Sequence, residues 1–252
     1  MLRNKIIDLL DLFKNANRVS VLSGAGVSTE SGIPDFRSPE GGLWTKFPEY
    51  IVDINYFKVH PLDFYNFISE SLMEIFNAVP SFSHYFLAKY EKDGKIQAVI
   101  TQNIDSLHQK AGSKNVLELH GNMTLCKCLE CGKNFKTADI LERFKIDKKV
   151  PYCDCGGLIK PDVVFFGEML SPGVMSMAYD FIKQSDLFIV LGSSLLVSPA
   201  SFLPESAVCS GCKLVIINYQ KTPLDGLADV IINDRISEVL VTLDKHLEEK
   251  VG

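Results

Sequence analysis
No stretch of this 252-residue chain reaches the roughly 18 consecutive apolar residues that a membrane-spanning helix requires. No secretory leader opens it either. In MLRNKIIDLLDLFKNANR the apolar Leu2, Ile6, Leu9, Leu10 and Phe13 recur at helical spacing, interrupted by Asp8, Asp11 and Lys14, which reads as an amphipathic helix on a folded domain. Basic charge is not in excess: 26 Lys and Arg stand against 31 Asp and Glu, a net charge of −5. That balance argues against direct binding of nucleic acid and suits cationic peptides as partners. There is no low-complexity run and no internal repeat. Cysteine does not come in an even set. Of seven, five lie between residues 126 and 155, which argues against a disulfide framework and for a metal in a reducing, cytoplasmic setting. What remains, with 46% hydrophobic and 23% charged residues, is an ordinary globular composition for one large domain or two smaller ones.

Five short apolar runs read as buried parallel strands: 18–22 (RVSVL), 96–101 (IQAVIT), 162–166 (DVVFF), 186–191 (DLFIVL) and 213–218 (KLVIIN). Each is β-branched or aromatic and ends in a polar or glycine group. Helical patterns separate several of them, including 173–184 and a final helix over 236–250. The alternation predicts an α/β domain with an open, mostly parallel sheet, whose ligands sit beyond the carboxyl ends of the strands. Two segments break it. Residues 50–90 carry Phe57, Phe64, Tyr65, Phe67, Phe76, Phe82, Tyr85 and Phe86 at helical spacing, and 126–157 carry the cysteine cluster. Both read as insertions that form a smaller lobe.

The loop SGAGVSTESGIPDFRS follows the first strand. Gly24 and Gly26 would let backbone approach a ligand, and free amides there would suit a pyrophosphate. The G-x-G-x-x-G fingerprint is incomplete, because Thr29 stands where a third glycine belongs. A plain turn between strand and helix therefore competes with a phosphate cradle. The following GIPDFR, with Pro34, Asp35, Phe36 and Arg37, is poor core and poor helix. It reads as a solvated loop or as a flap over a ligand.

At the end of a second strand, TQNIDSLHQKAG places Gln102, Asn103 and Asp105 where the crevice should lie. One of them would serve as a helix cap; three in four positions is more than a cap needs. Their amide and carboxylate groups suit ribose hydroxyls and a carboxamide. LELHGN then puts His120 after a short apolar run, facing the same crevice. Imidazole has an ordinary pKa of about 6.5, which suits a general base. His60, His84, His108 and His246 lie in helical or pre-helical contexts and read as structural.

Together, GAGVSTESGIPDFRS, TQNIDSLHQKAG and LHGN resemble the sirtuin family of NAD-dependent protein deacylases, and PDVVFFGE and GSSLLVSPA extend the likeness over nearly the whole chain. The resemblance implies a Rossmann-like NAD-binding domain (1–38, 91–125 and 158–252) and a small domain of helical module (39–90) and zinc module (126–157), with NAD and an acylated lysine between them. It implies cofactor contacts from Gly24, Ala25, Gly26, Thr29, Asp35, Phe36 and Arg37, a ribose and nicotinamide pocket at Gln102, Asn103, Ile104 and Asp105, and adenosine contacts from Gly192, Ser193, Ser194, Asn218 and Asp234. His120 matches the catalytic base, with Asn103 beside it. Val163, Val164, Phe165, Phe166 and Gly167 on one side, and Leu195 through Val197 on the other, match segments between which a substrate peptide adds as a strand.

The implied reaction releases nicotinamide, free lysine and O-acyl-ADP-ribose, performed by a monomer without membrane or nucleic acid. A mono-ADP-ribosyltransferase on the same scaffold also begins with loss of nicotinamide, and a non-catalytic sensor would not need His120. Relatives that accept acidic acyl groups carry a Tyr and an Arg in the helical module. Here Tyr65 is available, but no arginine occurs between Asp53 and Gln102, so a buried acyl carboxylate would lack a partner and neutral acyl groups are expected. C-x-x-C at Cys128 and Cys131 and C-x-C at Cys153 and Cys155 form a strong zinc pattern, although Cys126 competes with Cys128 on spacing. Alignment with the family favours Cys128, and such a four-thiolate zinc would be structural. Cys209 and Cys212 form another C-x-x-C, read as a helix end and turn rather than a redox pair.

Overall fold
The computed structural model describes residues 2–39, 41–71 and 73–249; of the segments expected above, positions 1, 40, 72 and 250–252 lie outside it. The described strands are β1 (Val19–Ser23), β2 (Ile96–Thr101), β3 (Val116–Glu118), β4 (Gly121–Cys128), β5 (Asn134–Lys136), β6 (Ile159–Val163), β7 (Leu187–Leu191), β8 (Lys213–Ile217) and β9 (Val230–Ile232). Six of them form a parallel sheet in the order β3-β2-β1-β7-β8-β9, and β5-β4-β6 form a small antiparallel sheet.

The large sheet is covered on both faces, as its apolar runs require. Val21, Val99, Ile189 and Val215 point into one core, with Leu9 and Phe13 of the helix Leu2–Asn15 and Val239 and Leu243 of the helix Ile236–Glu248. Their neighbours Leu22, Ile100, Val190 and Ile216 point into the other, against Ala178 and Ile182 of the helix Pro172–Lys183. Strand order reverses between β1 and β7, the place where open α/β sheets leave a crevice beyond the strand ends. A third core unites Phe57, Phe64, Tyr65 and Phe67 with Phe144, Ile159 and Phe165.

Two expectations change. The run 162–166 is not a parallel core strand: the strand there is Ile159–Val163, antiparallel to β4 at an edge of the small sheet. An apolar β-branched run does not say which sheet it joins, and Pro161, which cannot donate to a ladder, suits an edge. The aromatic stretch 50–90 also divides. Phe57, Phe64 and Phe67 build the smaller core, whereas Phe86 packs 6.1 Å from Phe13 in the core of the large sheet. Among the described residues no helix is long and apolar enough to cross a membrane.

Candidate active site
A cavity of about 970 Å³ runs from the ends of β1 and β7 to β6, between the two sheets. Its floor is an interlock of three glycines. A Cβ on Gly24 would fall 2.6 Å from the Gly192 carbonyl oxygen, one on Gly26 2.8 Å from the Gly192 Cα, and one on Gly192 (φ +63°) 2.7 Å from the Val27 nitrogen. Only glycine permits this approach of the β1 and β7 ends. The loop's amides are less free than its composition predicts. Gly24 N donates to Leu191 O, Gly26 N to Gly192 O, Val27 N to Gly24 O and Ser28 N to Ala25 O. Within 24–28 that leaves Ala25 N. The loop continues in 3-10 turns, Ala25–Val27 and Thr29–Ser31, so an anion here meets no long helix N-terminus.

Buried Ser28 joins this loop to the end of β2. Its hydroxyl donates to Asp105 Oδ2 (2.7 Å) and accepts from Asn103 Nδ2 (3.1 Å). Asn103 Nδ2 also donates to Gly24 O (3.1 Å), so both amide hydrogens are used and Oδ1 is the group left for a ligand. Asp105 Oδ1 accepts from Leu107 N at the entry to the helix Leu107–Ala111, whose cap position is Ser106 and has no side-chain cap bond. Gln102 Oε1 accepts from Ser193 Oγ at 2.6 Å, tying β2 to the turn after β7.

His120 follows β3 and lines the cavity. Its Nδ1 is 2.9 Å from the Gln102 carbonyl, an acceptor, so Nδ1 carries the proton and Nε2 keeps its lone pair. Burial lowers its pKa, only partly offset by that hydrogen bond, and the ring is therefore neutral at cellular pH.

The flap 33–47 is ordered by its own polar groups. Asp35 Oδ1 accepts from Arg37 N (2.9 Å) and Ser38 N (2.7 Å), and Leu43 N and Trp44 N return to the carbonyls of Asp35 and Phe36. Asp35 thus folds the flap. Phe36 lies 5.1 Å from Trp44, and with Phe64, Phe67, Ile104 and Met123 they give the inner cavity apolar walls. Tyr65 is not available there: it is fully buried and donates its hydroxyl to Ile159 O at 2.7 Å.

At the far end, Val164 N donates to His120 O, and Phe166 pairs with Val52 and Ile54. Val164 O and both backbone groups of Gly167 have no partner among the described residues. Val163 through Gly167, Val197, Ser193, Ser194, Asn218, Asp234, Thr29 and Arg37 all line the cavity. Asp105 and Leu195 do not. Asp105 lies behind Ser28, and Leu195 (φ 56°) turns into the core of the large sheet. Ser28, Trp44 and Arg235 carry no local signal of their roles in the sequence, yet Trp44 and Arg235 line the cavity. Ser28 lay inside a quoted motif, but its role depends on contacts 75 and 77 residues away.

Outside the cavity, the sulfurs of Cys128, Cys131, Cys153 and Cys155 lie within 4.8 Å of one another. Cys128 and Cys155 are 3.5 Å apart and Cys131 and Cys153 3.7 Å. A tetrahedral zinc with Zn–S bonds of about 2.3 Å places its sulfurs about 3.8 Å apart, so the set fits that ion. The Cys131 N–H holds the Cys128 thiol down to about 7, while Cys155, despite the Gly157 N–H, is pushed up to about 12 by neighbouring sulfurs. Four thiolates at this spacing need a cation among them. Cys126 is outside the set: it is fully buried, 3.3 Å from Thr137 Oγ1, and burial pushes its thiol to about 11. Cys209 ends the helix Leu203–Cys209, and the buried Cys212 donates to Ser185 O before β8.

A model of the Sir2 family matches residues 24–199. The chain is 44% identical over 240 residues to an NAD-dependent protein deacetylase of Sulfurisphaera tokodaii, covering 95% of each chain. It is 45% identical to one of Thermotoga maritima, covering 93% of this chain and 95% of that one. Among solved structures, a Sir2 variant with a deacetylated peptide and 3′-O-acetyl ADP ribose superposes with a TM-score of 0.91 at 43% identity, covering 97% and 98% of the two chains. A Sir2 structure with a bound propionylated peptide superposes with a TM-score of 0.89 at 41% identity, covering 97% and 99%.

Proposed function
The chain belongs to the Sir2 family, and from that premise we propose that it removes acyl groups from protein lysines with NAD as co-substrate, releasing nicotinamide, free lysine and O-acyl-ADP-ribose. The observation that carries the reading is the single cavity in which the glycine interlock, Asn103, His120 and an unpaired backbone edge meet. NAD supplies a nicotinamide–ribose bond whose cleavage makes C1′ open to attack by the acyl oxygen. Asn103 Oδ1 and Gln102 orient the groups on that sugar. His120 Nε2, held as a lone pair by the bond from Nδ1 to Gln102 O, takes the proton of a ribose hydroxyl. Apolar Phe36, Phe64 and Phe67 keep water from the reacting centre. Ser193, Ser194, Asn218 and Asp234, which line the cavity, would hold the adenosine half. The substrate peptide adds as a strand between 163–167 and 195–198, through Val164 O and the Gly167 amide and carbonyl. Cys128, Cys131, Cys153 and Cys155 would hold one structural zinc, a closed site with no part in the reaction. No disulfide joins any of the seven cysteines.

Relatives solved with a deacetylated peptide and acetyl ADP ribose, and with a propionylated peptide, favour deacylation over ADP-ribose transfer to a side chain. The test is mass analysis of an acetyl-lysine peptide incubated with the protein and NAD. O-acetyl-ADP-ribose and deacetylated peptide are expected, and peptide-linked ADP-ribose would establish the transferase instead. His120→Ala should abolish turnover with thermal stability and zinc content kept. Succinyl-lysine turnover matching that of acetyl-lysine would refute the neutral-acyl preference.

A further inference from the structure
Lys160 is one of the few charged side chains buried in this protein, with 5% of its surface exposed. It sits on β6 at the entry to the segment 161–168. Its three ammonium hydrogens face three oxygens: Val163 O at 2.6 Å, Pro161 O at 3.2 Å and Glu168 Oε2 at 3.0 Å. The same ammonium lies 4.2 Å from the centre of the Phe165 ring. Glu168 Oε2 also accepts from Phe165 N at 2.7 Å, and Glu168 N donates back to Phe165 O. The two side chains therefore hold the start, middle and end of one eight-residue segment.

The consequence lies on the other side of that segment. Phe165, pinned between the cation, Phe57 and Phe64, points inward and is buried, while Phe166 stays 38% exposed. With Val163 O and Phe165 N taken by the pair, and Val164 N by His120 O, the backbone groups left open are Val164 O and the Gly167 amide and carbonyl. A buried ion pair is a poor way to gain stability, since apolar residues of similar volume often do as well, so its use here points to the geometry it imposes.

We propose that Lys160 and Glu168 form a clasp that sets the substrate-docking edge, making them positioning residues for the acyl-lysine peptide. The proposal rests on the reading above that the peptide docks along 163–167. The clasp touches neither the cofactor end of the cavity nor the His120 imidazole. It governs how well the peptide strand fits, not how fast the bound complex reacts.

The test compares Lys160→Met, Lys160→Arg and Glu168→Gln with the unaltered protein under saturating NAD. Lys160→Met should raise the peptide KM about tenfold, or about 1.4 kcal/mol of docking free energy, while NAD KM and kcat move less than about threefold. Lys160→Arg, which can still reach three oxygens, should restore most of the peptide affinity. Glu168→Gln keeps an acceptor for Phe165 N and should give an intermediate KM. Melting temperature and zinc content are followed in each. A Lys160→Met protein that loses stability with peptide KM within twofold would overturn the clasp. So would an equal change in both substrates' KM. Separately, an acetyl-lysine peptide with a photoreactive residue beside the lysine should label 163–168. Labelling elsewhere overturns the docking reading and the clasp together, whereas labelling there with an unmoved KM overturns the clasp alone.

Discussion

Lowering the pH from 7 to 5 should cost this protein a large part of its stability through two imidazoles far from the surface. His84 and His108 are essentially inaccessible, with ring centres 4.8 Å apart. His84 Nδ1 accepts from Ser81 N (3.1 Å), so its proton is on Nε2. His108 Nε2 meets Ser23 Oγ (2.8 Å), whose own hydrogen goes to Thr101 Oγ1, so His108 is protonated on Nε2 and bare on Nδ1. The two remaining nitrogens, His84 Nε2 and His108 Nδ1, have no partner and form one donor and one acceptor. This arrangement suits two neutral rings. Burial pulls His84 down to about 4, with Asp105 opposing it, and pulls His108 down to about 3, helped by His84. The unfolded chain protonates both near 6.5, so between pH 6.5 and 4 it binds more protons than the folded one. Stability therefore falls as pH drops through that window and levels off below the folded pKa values. At pH 5 each imidazole contributes a loss of about 2 kcal/mol, from 1.5 units at 1.36 kcal/mol per unit. Together they remove about 4 kcal/mol, set against a typical total of about 5–15 kcal/mol. Urea unfolding at pH 7, 6 and 5 measures this. His84→Gln/His108→Gln is expected to be weaker at pH 7 and to lose far less between pH 7 and 5. If the double variant kept the full pH slope, the assignment to this pair would be wrong.

Metal removal with a strong chelator should unfold the small cysteine lobe. Cys153→Ala should bind no zinc, whereas Cys126→Ala should keep one zinc per chain by elemental analysis and lose only about 1 kcal/mol of packing. Gly121→Ala should be severe: φ is +72° and the added Cβ would overlap the Asp162 carbonyl oxygen, so a loss above about 2 kcal/mol is expected in denaturant unfolding. Because burial lowers the His120 pKa, kcat/KM for an acetyl peptide should stay level as pH falls through about 6.5 and decline only on the acid side of it. A decline centred at 7 or above would contradict a neutral, buried base.

Much of this protein was legible residue by residue. Four of the five expected strands lie in the parallel sheet, and the expected first and last helices are present. Their apolar runs and periodicity are local properties, visible without knowing what they pack against. The run 162–166 failed for the same reason in reverse: its composition is that of a buried strand, and only pairing with β4 decides which sheet receives it. Short β3, β5 and β9, three residues each, left no periodic signal. At the site, the order of motifs marked the cavity wall, yet two details needed distance. Tyr65 looked free to meet a ligand and instead donates across 94 residues to Ile159 O. Asp35 lines the cavity as expected, but its carboxylate folds its own loop, which only the structure shows.

The amino-acid order alone determined the chemistry on offer: a glycine-rich turn, amides and a histidine at strand ends, paired cysteines, and no arginine in the helical segment. These follow from residue type and short spacing, which folding does not alter. Tertiary structure decided how that chemistry is used. Gly24 and Gly26 serve an interlock with Gly192, because the crossover from β1 to β7 brings residues about 170 positions apart into backbone contact. Cys128 rather than Cys126 joins the sulfur cluster, because along β4 Cys126 turns to Thr137 while Cys128 reaches Cys155. Lys160, an unremarked residue in the sequence, becomes a buried cation closing the docking edge, because two carbonyl oxygens and the Glu168 carboxylate converge on it only when the segment folds.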